Sequence, residues 1–229
     1  MQEEGAGTEV ARRLAAVRDR IASAAARSGR SPEDVELVAV SKKQPIERVR
    51  QAYAAGQRVF GENYAQALRD RAEATEDLPR IAWHAIGTLQ RNKAKYVARV
   101  AAAFHALASV EIAEALSGYR SGDPLACFVE VNVGGEATKG GVRPDGVARL
   151  LESLRAIDAI RIVGLMALPP QGGPGWTPEA SRPHFRAMRA LASQLGLRGL
   201  SMGTTEDYEV AIEEGATHVR VGRAIFGDR

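Results

Sequence analysis

The sequence predicts a single (β/α)8 barrel of the α/β class, and three observations predict it. Eight short β-type apolar runs alternate with amphipathic segments from end to end of the 229 residues, which is the pattern of strands joined by helices. Strands so separated pair in parallel through right-handed crossovers, and eight such units favour closure into a barrel over an open sheet. The third observation is an anomaly: after the eighth run only residues 224–229 remain, too few for an ordinary closing helix.

In chain order, residues 1–7 are expected to be a flexible N-terminus and residues 8–229 the one domain. Residues 8–28 place Val10, Leu14, Val17, Ile21 and Ala24 at helical spacing ahead of the first strand. This extra helix is expected to pack where the missing eighth helix would sit, with an oligomer interface as the alternative. Strands are expected near 36–41, 58–60, 81–86, 102–106, 126–133, 160–168, 199–202 and 217–222. Helical patterns lie between them near 45–55, 63–74, 91–99, 110–118, 143–156, 178–195 and 206–214. Pro45, and Thr177 ahead of Pro178, mark two of the helix starts.

Composition narrows the function classes. With 45% hydrophobic and 26% charged residues, the chain can bury one large core. No long apolar run is present, and residues 1–30 carry charge and helical periodicity where a signal peptide needs an apolar stretch, so a cytoplasmic protein without a membrane span is expected. The single cysteine, Cys127, cannot form an intrachain disulfide and reads as packing in a reducing compartment. A net charge of +3 spread over mixed signs, without a basic block, speaks against nucleic acid. Arg91-Asn92-Lys93-Ala94-Lys95 reads as a solvated helix start. No metal site is expected.

The functional signal begins at the first strand. Leu37-Val38-Ala39-Val40 runs into Ser41-Lys42-Lys43-Gln44-Pro45, so Lys42 stands where a buried strand meets a turn. In a barrel, that C-terminal strand end is the active face. Alternation puts Val38, Val40 and Lys42 on one side, toward the barrel mouth, while Lys43 begins the loop. A desolvated lysine there can form a Schiff base with a carbonyl compound; the plain alternative is a lysine that snorkels into solvent. Asn63 follows the second strand in Phe60-Gly61-Glu62-Asn63-Tyr64, either at the site or as a helix cap.

Two motifs at the far end look like a phosphate site. Leu200-Ser201-Met202-Gly203-Thr204-Thr205 leaves the seventh strand and Arg220-Val221-Gly222-Arg223 leaves the eighth, where barrels often hold phosphate. The hydroxyls of Ser201, Thr204 and Thr205, with backbone amides opened by Gly203 and Gly222, can donate to an anion. Alternatively, Thr205 caps a helix and the glycines turn the chain. An amine nucleophile and a phosphate cradle on one rim call for an aldehyde that carries a phosphate, and pyridoxal 5'-phosphate fits.

The chain resembles the pyridoxal phosphate homeostasis proteins, single-domain barrels similar to the N-terminal domain of alanine racemase. The matching segments include Ala39-Val40-Ser41-Lys42, Phe60-Gly61-Glu62-Asn63-Tyr64, residues 83–93, Gly164-Leu165-Met166, Leu200-Ser201-Met202-Gly203, Asp207-Tyr208 and Val219-Arg220-Val221-Gly222, in order over nearly the whole chain. The resemblance implies that Lys42 carries the cofactor as a Schiff base, that residues around Ser201, Gly203 and Gly222 hold its phosphate, and that Arg220 approaches the pyridine nitrogen. Three features depart from the pattern: Thr204-Thr205 where methionine and serine are common, Arg223 where a small hydroxyl residue is common, and Gly134-Gly135 before residues 136–139. Arg223 either strengthens anion binding through its guanidinium or points to solvent with only its amide in use.

The resemblance implies vitamin B6 homeostasis, with acceptor enzymes as possible partners and a monomer as the expected state. An always-charged Arg220 against the ring nitrogen disfavours its protonation and weakens the ring as an electron sink. A racemase would also need an acid/base group on the far face of its substrate, and no second domain is seen to supply one. A carrier without turnover is therefore favoured over an amino-acid racemase or lyase using the same cofactor. A phosphosugar-binding barrel with Lys42 acting on a sugar carbonyl is the third reading. His84 and the loop 169–175 are left without a role.

Overall fold

The computed structural model describes residues 2–136 and 140–227, with side chains from Thr8 onward. Eight parallel strands close into a barrel in sequence order: β1 Glu36–Val40, β2 Val59–Glu62, β3 Ala82–Ala85, β4 Ala103–Leu107, β5 Leu125–Glu130, β6 Ile160–Met166, β7 Gly199–Thr204 and β8 His218–Val221. The barrel closes where β1 pairs with β8, from Glu36 opposite His218 to Ala39 opposite Val221. All eight expected strands are present, and the expected barrel is the fold.

The helices are α1 Gln2–Arg27, α2 Ile46–Ala54, α3 Ala65–Glu73, α4 Ala94–Ala98, α5 Val110–Ser117, α6 Val147–Leu154, α7 Arg182–Gln194, α8 Tyr208–Glu213 and the four-residue α9 Arg223–Phe226. α1 starts earlier than its periodic stretch and packs against α2, α8 and α9, which is the gap left by the short α9. Val10, Leu14, Val17, Ile21 and Ala24 are all buried, so burying this stripe closes the outer layer. Around its edge, Arg20 and Arg27 pair with Glu209, and Arg27 also pairs with Glu213. No helix among the described residues is long and apolar enough to cross a membrane.

Alternation along the strands separates two interiors. Leu37, Ala39, Phe60, Trp83 and Phe104 face the helices and join the apolar core. Inside the barrel lie His84, His105, Phe128, Ser201, His218 and Arg220, whose rings and polar atoms meet one another. Barrel interiors are usually filled by branched apolar side chains; here much of the filling is imidazole, hydroxyl and guanidinium. Cys127, on β5, is buried and its thiol is pushed up to about 12 by burial, so it packs and does not react.

Candidate cofactor site on the C-terminal rim

A cleft of about 230 Å³ opens at the C-terminal ends of the strands. Val40, Asn63 and Ile86 line one side, and Thr204, Thr205, Arg220, Gly222 and Arg223 the other, with Leu168 and Gln171 between. Thus Asn63, Arg220, Gly222 and Arg223 meet at one opening, together with the hydroxyl pair Thr204-Thr205.

Lys42 is not among the lining residues of this cleft; Val40, two residues before it on the same strand face, is. The Gln44 N–H donates to the Ser41 carbonyl at 2.9 Å, closing a turn in which Lys43 takes φ +60°. That turn leaves Lys43 exposed and Lys42 half-buried, with its ammonium over the Tyr64 ring at 5.1 Å from the centroid. Asn63 does not cap a helix; the cap position of α3 belongs to Tyr64 and has no side-chain bond. Instead, the backbone at Asn63 packs so closely on Gly87 that a Cβ at position 87 would clash with it. The buried Glu62 carboxylate accepts from the Asn63 N–H at 2.8 Å and pairs with Arg71 at 2.9 Å. Arg71 also donates to the Gln44 carbonyl at 2.7 Å, which ties the loop after β1 to the loop after β2.

On the far side, two expectations change, those for Ser201 and Gly203. Ser201 does not reach the rim. β7 runs on to Thr204, so Ser201 is fully buried inside the barrel, where its hydroxyl accepts from Arg220 and meets His105 Nδ1 at 2.8 Å. Gly203 is also buried, at φ +89°, and a Cβ there would stand 2.6 Å from Ala211 Cβ; its bareness lets β7 approach α8. Arg223 is exposed and its guanidinium is held by Glu206 on the same rim, leaving that positive charge partly neutralised.

Thr204, Thr205 and Gly222 face the cleft, but the Thr204 hydroxyl donates to Asp207 Oδ1 at 3.3 Å and the Gly222 amide to Thr205, so the free donor of the three is the Thr205 hydroxyl. The Thr205 hydroxyl accepts from the Gly222 N–H at 3.4 Å, so its own hydrogen is available. Asp207, buried beside them, accepts from the Thr204 N–H at 2.8 Å, Ser181 Oγ at 2.9 Å and Gln171 Nε2 at 2.7 Å. Gln171 also donates to Thr204 Oγ1 at 3.1 Å, so the loop 169–175 is strapped to the hydroxyl pair.

Arg220 is 5% exposed. Its Nη1 donates to the Ser201 hydroxyl and, at 2.8 Å, to the Ser201 carbonyl, and its Nη2 to the Ala167 carbonyl at 3.0 Å. Burial lowers its pKa to about 10, opposed by Asp207 and Glu130, so it is charged at neutral pH. His84, reached through His105 Nε2 at 3.0 Å, is pushed down to about 4 by burial, and His105 likewise well below the ordinary imidazole range. Sequence reasoning passed over His105 and His218. Their one signal is period-two spacing, with His218 two residues before Arg220 on the same strand face. Lys139 lies outside the described residues, and among those described no His, Cys, Asp and Glu cluster could hold a metal.

The alanine racemase N-terminal domain model matches residues 13–229. A pyridoxal phosphate homeostasis protein of Pseudomonas aeruginosa is 42% identical, over 96% of this chain and 96% of that protein. The chain belongs to that family. The corresponding protein of Aquifex aeolicus is 40% identical over 95% of this chain and 97% of its own length. PipY of Synechococcus elongatus, solved with PLP bound, is 32% identical, superposes with a TM-score of 0.81 and covers 95% of this chain and 100% of its own. The groups here suit the same kind of ligand: a primary amine two residues past the cleft-lining Val40, a free hydroxyl at Thr205 for an anion, and the buried Arg220 cation.

Proposed function

We propose that this chain binds pyridoxal 5'-phosphate on the C-terminal rim of the barrel and serves in vitamin B6 homeostasis as a carrier without substrate turnover. The observation that carries the reading is the one cleft that joins Lys42's strand end to the Thr205 hydroxyl, with Arg220 in its wall. When bound, the cofactor supplies an aldehyde that an amine captures reversibly and a ring able to accept electrons. Lys42 would be the capturing amine, the Thr205 hydroxyl would donate to the phosphate, and Asn63 would line the same cleft. Arg220 presents a positive charge to the ring nitrogen and so opposes its protonation. An unprotonated ring stabilises a carbanion poorly, which suits storage better than amino-acid chemistry.

Belonging to a family of homeostasis proteins supports a cytoplasmic site of action and delivery to acceptor enzymes, with a monomer as the working unit. The test is to load the purified protein with pyridoxal 5'-phosphate, remove the excess and assay three properties. Retention near one cofactor per chain, transfer to an apoenzyme, and no α-proton exchange in a panel of L-amino acids are expected. A protein that retains no cofactor overturns binding, and steady α-proton exchange overturns the carrier in favour of a racemase or lyase.

A further inference from the structure

The polar column inside the barrel has a direction. A guanidinium only donates, so the Ser201 oxygen must accept from Arg220 Nη1. The Ser201 hydrogen then turns to its other neighbour, His105 Nδ1, at 2.8 Å. A neutral imidazole that accepts at Nδ1 carries its proton on Nε2, and His105 Nε2 lies 3.0 Å from His84 Nδ1. His84 therefore accepts at Nδ1 and carries its own proton on Nε2. One group that cannot reverse sets a hydroxyl and two tautomers behind it.

We infer that Ser201, His105 and His84 are positioning residues: a neutral buttress that fixes the Arg220 guanidinium from behind without cancelling its charge. The inference rests on the proposed reading of Arg220 as the group facing the ring nitrogen. A carboxylate in the place of Ser201 would hold the guanidinium equally well, but would neutralise it and remove the bias against ring protonation. The hydroxyl and imidazoles supply geometry alone. The three bonds to Ser201 and Ala167 occupy three of the five guanidinium hydrogens, so the remaining donors are what Arg220 presents to the cleft that it lines.

The charged and titratable neighbours are consistent with this. Glu130 at the end of β5 and Asp207 beside β7 attract the guanidinium from a distance, and neither hydrogen-bonds to it among the described contacts. His218 packs its ring against His84 and His105, with centroids 6.4 and 5.9 Å apart, while its nitrogens meet Glu36 at 3.2 Å and Thr217 at 2.9 Å. Burial also keeps His84 and His105 in the neutral form that the hydrogen-bond directions require.

Two measurements test the buttress. In the cofactor-free protein with 15N-labelled histidine, His84 and His105 should both be neutral Nε2–H tautomers down to about pH 5. An Nδ1–H tautomer at either, or titration near the ordinary value of about 6.5, overturns the inference. In the loaded protein with a 15N-labelled ring, Ser201→Ala and His105→Phe should raise the midpoint of ring-nitrogen protonation by about one pH unit or more. His105→Gln should stay near the parent, because its amide oxygen can accept from Ser201. An unmoved midpoint in Ser201→Ala and His105→Phe overturns the inference while leaving the cofactor site standing. A parent protein that takes up no cofactor overturns the site itself, and the tautomers still decide the direction of the column.

Discussion

The two sides of the cleft are each built around a buried carboxylate, and the carboxylates are satisfied differently. Glu62, 1% exposed, meets a cation: Arg71 stands 2.9 Å away and bridges to the loop that carries Lys42. Asp207, also 1% exposed, accepts hydrogen bonds from the Thr204 amide, Ser181 and Gln171, all of them neutral. On the lysine side a charge pair braces two loops and cancels itself. On the β7–β8 side the carboxylate orders Thr204 and its loop without taking up Arg220, whose charge stays in the cleft wall. The difference suits the proposed site, in which one side would capture an aldehyde and the other would attract a phosphate.

The largest expected effect breaks the lysine side outright. Lys42→Ala should abolish the cofactor adduct trapped by borohydride, while Lys43→Ala retains it, since the turn at φ +60° leaves Lys43 exposed. Peptide mapping of the trapped protein reads the result. An adduct mainly on Lys43 or Lys139 would remove the assignment and the comparison built on it.

Acid should separate the two sides next, because only the β7–β8 side stands on imidazoles. His84 has a folded pKa near 4, below the unfolded value of about 6.5. Between those values the unfolded chain binds a proton that the folded chain refuses. Stability is therefore full above about pH 6.5 and falls as the pH drops toward 4, by about 3 kcal/mol from His84. His105 contributes in the same direction. Urea unfolding of the parent and of His84→Gln at neutral and acidic pH measures this. Parallel losses in the two proteins would mean that other groups govern acid sensitivity.

Much of the fold was legible because its signals are local. Period-two runs mark the strands, and the stripe from Val10 to Ala24 marks the helix that fills the eighth position. Lys42's half-burial and the Asn63 and Gly222 positions also follow from strand ends. The sequence pattern places Ser201 at the rim because its strand-like run ends at Met202, two residues short of the end of β7. Extending the strand to Thr204 lowers Ser201 into the barrel and lifts Thr204-Thr205 onto the rim. The column of His84, His105 and Ser201 spans three strands, β3, β4 and β7, and no local pattern encodes inter-strand meetings of that kind. The Glu206 partner of Arg223 was hidden for the same reason.

A smaller effect tests the brace at Glu62. Arg71→Ala would leave a buried carboxylate without its cation, which costs about 3 kcal/mol when a buried pair loses one member. Arg71 keeps some solvent contact, so the loss should fall at or below that figure. Glu62→Gln combined with Arg71→Ala should recover part of it. Cofactor phosphate contacts should be untouched, so pyridoxal and pyridoxal 5'-phosphate should weaken together. A selective loss of the phosphorylated form would place Arg71 in the anion site instead.

The smallest effect concerns the hydroxyl proposed to meet the anion. Thr205 accepts from the Gly222 amide and keeps a hydrogen to give, so Thr205→Val removes one charge-assisted bond while preserving the branched shape. Such a bond is worth roughly 1.5–3 kcal/mol, equivalent to about one to two powers of ten in affinity for pyridoxal 5'-phosphate. Pyridoxal, lacking the phosphate, should hardly register the change. Ser201→Ala should behave oppositely: it loosens Arg220 and touches no phosphate, so both aldehydes should weaken alike. Titrating both aldehydes against both variants, with Lys42 intact, separates the rim from the barrel interior. If Ser201→Ala shows the phosphate-selective loss and Thr205→Val does not, the anion lies deeper than the rim hydroxyls, and the assignment of the β7–β8 side must be redrawn around the buried serine.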